Sequence, residues 1–311
     1  MNLSYLKSID RWLPKKKEHK NSPRSLDRFA PMIMVLPSVV FTLLLIGFPL
    51  IYVIYLMFTK WSPGVSFWGL PFVGFDNILL TFKDALFWKA TWITLKISGI
   101  SLFFELVLGV YLGILLSKAV RGIKVLRILF FFPAIIPSVA AGMVWVQLFE
   151  PSLGFVNYVL QTFNLPAGKW LNDPGSVIYA LSIVDIWQWT PFIALIVLGG
   201  VQALPEEPFE AAYIDGANKA QTLFYIILPM LKQTILIALM LRSVDMLRIF
   251  DTIYVMTQGG PINSSTSLNI YAYQQGFLYT NMGQASTMML VLLFIVMGFS
   301  YLLTSWRKRY V

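Results

Sequence analysis

The sequence predicts an all-α integral membrane protein with six spans, on three observations. Hydrophobic residues make up 57% of the 311 and charged residues only 13%, with a mean hydropathy of +0.69, so lipid is the solvent for most of the chain. Six apolar stretches, at 31–58, 91–117, 127–149, 176–201, 230–256 and 283–305, are each long enough for the roughly 20 helical residues that a hydrocarbon core of ~30 Å requires. Lys and Arg gather at alternate ends of these stretches, the pattern that orients a multi-pass protein.

The elements follow in order. Residues 1–29 form a basic segment with Lys7, Arg11, Lys15, Lys16, Lys17, Lys20, Arg24 and Arg28, and its "KKKEHK" run suits water or lipid headgroups. Residues 30–311 then form the transmembrane domain. The first span is longer than the apolar region of a signal peptide and reads as uncleaved. Lys118, Arg121, Lys124 and Arg127 follow the second span, and Arg307, Lys308 and Arg309 follow the last. These three basic sets share one side, which makes both termini cytoplasmic. Pro37, Pro49, Pro133, Pro137 and Pro191 lie inside the runs and read as kinks whose freed backbone groups neighbours satisfy. The outer segments at 60–90 and 150–175 read as ordered, and "LFEPSLGFVNYVLQTF" has the periodicity of a short interfacial helix.

Several function classes are excluded. The chain has no cysteine and one histidine, His19, which leaves no disulfide framework, thiolate site or histidine metal site. The net charge of +9 lies at span ends rather than on a basic, aromatic-studded face, so nucleic acid is not a partner. No nucleophile elbow or metal constellation marks an enzyme, and no GxxxxGK[ST] phosphate loop is present.

The joint at 202–229 is unusual, because a cytoplasmic loop should be basic and this one carries Glu206, Glu207, Glu210 and Asp215 against Lys219. Its pattern reads as helix, turn at Gly216, helix, with Pro229 near the start of the next span. Carboxylates in the first turn of a short helix complement its dipole and remain available to a basic partner. An amphipathic loop held by headgroups is the other reading.

Charges at bilayer depth need a pairing or a pathway. Lys96 lies one turn into its span and can snorkel, while Glu105 is deeper and suits a pair with a basic group on another helix. Arg242, Asp245, Arg248 and Asp251 alternate in sign at intervals of three, which suggests pairing along one helix and a polar stripe facing a partner helix or a water-filled path. "DIWQWTPF" brings Asp185, Trp187, Gln188 and Trp189 into the fourth span. Such a mixture of stacking faces and hydrogen-bonding groups binds sugars, and it equally forms an interfacial aromatic belt.

Glu210-Ala211-Ala212, then Gly216, then Ile226-x-Leu228-Pro229, matches the EAA motif of permease subunits of bacterial ATP-binding-cassette importers. "TQGGP" at 257–261 followed by "LNIYAYQQGF" resembles the outer loop of carbohydrate permeases of the maltose-transporter type. The resemblance implies the type I importer permease fold, with residues 206–229 as coupling helices on a cytoplasmic ATPase. Glu206, Glu207, Glu210, Ala211, Ala212, Asp215, Gly216, Leu228 and Pro229 are the coupling residues. It further implies a second related permease, two ATPase subunits that bind ATP and magnesium so that this chain binds no cofactor, and an extracytoplasmic solute-binding protein. Asp185, Trp187, Gln188, Trp189, Arg242, Asp245, Arg248 and Asp251 then line a substrate path for a sugar. The extra N-terminal spans and large outer domain of the longest members are missing. Two other readings stay open: an importer of a glycerol phosphodiester or other phosphorylated solute held by Arg242 and Arg248, and an ion-coupled carrier using the buried acids.

Overall fold

The computed structural model describes residues 25–65, 68–118 and 122–308, so residues 1–24 of the basic segment, with His19, and also Arg121 and Arg309, lie outside the described residues. Regular structure among the described residues is helical, apart from an isolated antiparallel bridge between Thr59 and Phe72. The chain divides into two units, residues 1–52 and 53–311.

In the first unit, helix α1 (Ser25–Thr42) passes through a π-turn at Leu43–Gly47 into α2 (Phe48–Met57). The turn has a local cause. Pro49 lacks an N–H and its ring presses on the carbonyl four residues back, and the wider turn, closed by the Phe48 N–H on the Leu43 carbonyl, absorbs that crowding. The same device recurs at Leu223–Ile227 before Pro229. Side chains from Met32 to Ile46 are exposed all round, as expected of a helix facing lipid or another chain.

The second unit takes in the end of α2 from Val53, then a short helix α3 (Asp76–Lys83) and the long α4 (Ala85–Ser117), whose start is capped by Asp84 accepting from the Leu86 N–H. Next come α5 (Ile123–Ile135), α6 (Ser138–Leu148) and α7 (Phe155–Thr162), which is the short helix the periodicity predicts. Asn157 on α7 orders the outer loop, bonding the carbonyls of Pro151 and Gly168 through Nδ2 and the Gly168 N–H and Trp170 Nε1 through Oδ1. The chain continues through α8 (Val177–Gln202), α9 (Glu207–Ile214), α10 (Lys219–Thr222) and α11 (Leu228–Leu247). It ends with α12 (Asp251–Met256), α13 (Leu268–Tyr273) and α14 (Met282–Lys308).

The centre of this unit is the α4–α8 pair. Gly109 and Gly113 let the two backbones meet: a Cβ on Gly109 would stand 2.7 Å from Ile193, and one on Gly113 2.8 Å from the Ala194 carbonyl. Ile193, Val197, Leu231 and Ala238 form the core cluster at this contact, and Ile93, Ile97, Leu181, Val184, Met246 and Ile253 form another along the same pair.

Two predicted spans are not single helices. The stretch 127–149 is broken between α5 and α6 by a bend of 96°. Ile136 precedes Pro137, which disfavours helical geometry, and it sits at φ −72°, ψ 131°. The stretch 230–256 is also divided. Its apolar helix runs from Lys219 to Leu247, starting before Pro229, and the chain breaks at Arg248–Phe250 before α12. Five helices among the described residues are long and apolar enough to cross a membrane, and the bent pair makes six where it is counted as one span.

Candidate functional site

Arg242 on α11 is buried between two helices. Its Nε and Nη2 donate to both oxygens of Glu105 on α4, at 2.8 and 3.1 Å, and Nη2 also donates to Asp185 Oδ2 on α8 at 2.6 Å. All three side chains are at most 3% exposed. The guanidinium lies over the Trp189 ring, 4.9 Å from its centre, so one face of that indole is occupied. Glu105 therefore has the cross-helix basic partner that its depth suggests. The predicted pairing along α11 is corrected: Arg242 bonds to α4 and α8, because a buried guanidinium needs a fork of acceptors that one turn of its own helix does not supply.

Asp245 and Arg248 do pair, at 3.0 Å, with both side chains more than half exposed. They open onto a cavity of about 160 Å³, lined also by Ser138, Asp185, Trp189, Arg242 and Asp251. Both helix breaks meet there. Ser138 follows the bend between α5 and α6, and Arg248 to Asp251 span the break after α11. Leaving the helical ladder frees the backbone to turn polar side chains toward one space.

Two predicted path residues lie elsewhere. Gln188 is 1% exposed, and its Nε2 donates to the Ile136 carbonyl at 2.8 Å, at the bend itself. Trp187 packs edge-on against Trp145 of α6, with ring centres 5.5 Å apart. Along a helix, residues 185 and 189 share a face while 187 points away, so the four cannot converge on one ligand. Ser138, which the sequence reading missed, joins the cavity wall only because Pro137 bends the chain. Lys96 lies over the Tyr179 ring at 5.3 Å.

The acidic joint folds as helix, turn and helix. Glu207 and Glu210 occupy the first turn of α9, and Pro208 sits near its start where no N–H is needed. Gly216, at φ +73°, ends it, and the Ala217 N–H closes on the Ala212 carbonyl at 2.9 Å in a Schellman-type cap. Asn218 and Gln221 then form a reciprocal capping box for α10. Ala212 is buried, whereas Glu206, Glu207, Glu210, Ala211 and Asp215 are exposed, and none of these carboxylates has a side-chain partner among the described residues. Tyr213 and Ile214 beside them are 87% and 83% exposed. Leu228 is partly buried and Pro229 exposed, at the start of α11, where the helix runs on from the π-turn at Leu223–Ile227.

A family model described as the binding-protein-dependent transport system inner membrane component matches residues 105–309. The trehalose/maltose transport system permease protein MalF of Thermococcus litoralis is 37% identical over 68% of this chain and 71% of its own. The sulfoquinovosyl glycerol transport system permease protein SmoG of Agrobacterium fabrum is 32% identical over 86% of each chain. A chain of the bacterial alginate ABC transporter, solved with an alginate pentasaccharide-bound periplasmic protein, shares the fold at TM-score 0.79 and 21% identity, over 91% of this chain and 96% of that one.

Proposed function

The chain belongs to the binding-protein-dependent transport system inner membrane component family, as a permease subunit of an ABC importer, and from that premise we propose that it forms half of an ATP-driven path for a sugar. The relatives' names support a sugar, since trehalose, maltose and sulfoquinovosyl glycerol are all glycosides. The cavity of Asp185, Trp189, Arg242, Asp245, Arg248 and Asp251 is the observation that carries the proposal. It is polar and lies where two broken helices meet, and in this reading a second related permease supplies its other wall. Asp245 and Asp251 offer acceptors to sugar hydroxyls and Arg248 offers donors.

In this reading residues 206–229 are cytoplasmic, as are both termini, and α9 presents its free carboxylates with Tyr213 and Ile214 to one of two ATPase subunits. ATP and magnesium bind there, since the sequence has no phosphate loop. Closure of the ATPases moves the α9 segments together and turns the permeases from inward-facing to outward-facing, against a sugar-loaded extracytoplasmic binding protein. The phosphorylated-solute reading depends on two free guanidiniums, whereas Arg242 is held by two carboxylates and Arg248 by one, which favours the sugar. The test is substrate protection: single cysteines at 245 and 248 in the assembled transporter should react with small aqueous thiol reagents, and the transported sugar should slow that reaction. Cysteines that resist the reagent in every nucleotide state would place these positions off the path.

A further inference from the structure

The "DIWQWTPF" strip of α8 holds two walls of the cavity by different means. Asp185 fixes α11 through the buried ion triad with Arg242 and Glu105. Three residues on, Gln188 reaches the other wall, its Nε2 donating to the Ile136 carbonyl at 2.8 Å. That carbonyl has left the helical ladder because Ile136 precedes Pro137, so the Gln188 amide satisfies it at the point where the chain bends by 96°. The amide's orientation follows from this contact, since the reverse would set two oxygens against each other. Its Oε1 is buried without a partner, so this single bond is what the side chain contributes. No residue of α5 is buried, and without Gln188 the angle at which the chain enters α6 would rest on Pro137, on the packing of α5 against α8 and of α6 against α12, on Trp145 against Trp187, and on Arg127 of α5 donating to the Leu116 carbonyl of α4.

The geometry points to Gln188 as a positioning residue that sets the α5–α6 bend and thereby places Ser138 in the wall of the transport cavity. Gln188 does not touch the substrate. It acts through Ser138, the first residue after the bend to line the cavity. The two holds differ in strength: a neutral hydrogen bond is worth far less than a buried ion pair is worth keeping. Breaking this hold therefore costs the α5–α6 wall less than breaking the ion triad would cost the junction of α4, α8 and α11.

The experiment uses the assembled transporter and the chain's lack of cysteine. Ser138→Cys is labelled with a small aqueous thiol reagent in the native background and with Gln188→Leu. Losing one neutral hydrogen bond should change the labelling rate by about fivefold, while labelling of Asp245→Cys on α11 stays the same. Gln188→Met removes the N–H donor while keeping length and bulk, and it carries the same expectation should Gln188→Leu fail to assemble. The transport arm rests on the proposed function: the half-saturating sugar concentration should rise by a similar factor, with ATP hydrolysis retained. A raised sugar requirement with unchanged Ser138→Cys labelling would overturn the proposal, since Gln188 would then be touching the sugar itself, and unchanged labelling with unchanged transport would overturn it too. The labelling shift without any sugar uptake would leave the positioning role standing and remove the sugar reading.

Discussion

Arg242 and Glu105, 137 positions apart in sequence, meet through two hydrogen bonds inside the protein, and neither side chain reaches solvent. Asp185 shares the same guanidinium, so one side chain ties α4, α8 and α11 together. Removing a carboxylate leaves a buried cation short of partners, which typically costs ~3–5 kcal/mol. Glu105→Ala and Asp185→Ala should each lower the thermal stability of the purified permease by that order, and unchanged melting in detergent would contradict the triad's role.

Asp245→Ala should behave differently. Its partner Arg248 is more than half exposed, and exposed pairs contribute ~0–1 kcal/mol. Stability should hold within that range while transport falls, measured by melting and uptake on the same preparation. A loss as large as that of Asp185→Ala would mean that Asp245 supports Arg242 after all.

The α4–α8 contact makes a separate prediction. Gly113→Val would drive side-chain atoms into the Ala194 carbonyl and Val197. Overpacking of this kind costs about 1–3 kcal/mol, so this variant should assemble poorly, whereas Gly99→Val, at a glycine with open space beside it, should be tolerated. Equal expression and melting of the two variants would argue against a close backbone crossing.

At the acidic joint, Gly216→Val places a β-branched residue at φ +73°, at roughly 1–2 kcal/mol of local strain, without touching a span. Membrane insertion should survive and sugar-stimulated ATP hydrolysis should fall. Glu210→Lys should weaken co-purification of the ATPase by reversing an exposed charge. Normal co-purification and normal uptake in both variants would remove the docking role of this segment.

Much of this was legible in sequence because spans are written in runs of apolar residues, and α4, α8 and α14 lie close to the predicted stretches. The broken helices were not. A proline inside an apolar run signals either a tolerated kink or a full break, and only packing decides, so Pro191 stays within α8 while Pro137 ends a helix. The partner of Arg242 was misread for a related reason: spacing of three exposes local neighbours such as Asp245, whereas contact with Glu105 leaves no trace in spacing. The Gly109-x-x-x-Gly113 pair was readable as a close-packing signal and went unread. The role of Gln188 was not readable, since its partner is a backbone carbonyl that any residue could supply.

In the proposed function this chain couples an ATPase to movement of a sugar through the cavity of Asp245 and Arg248. The measurement that tests it most directly is uptake of a radiolabelled disaccharide such as trehalose or maltose into proteoliposomes holding this permease, its second permease, the ATPase pair and the binding protein. Uptake should require ATP, continue in the presence of an uncoupler, and be lost in Asp245→Ala with the complex intact. Accumulation that proceeds without ATP and collapses with the uncoupler would contradict it.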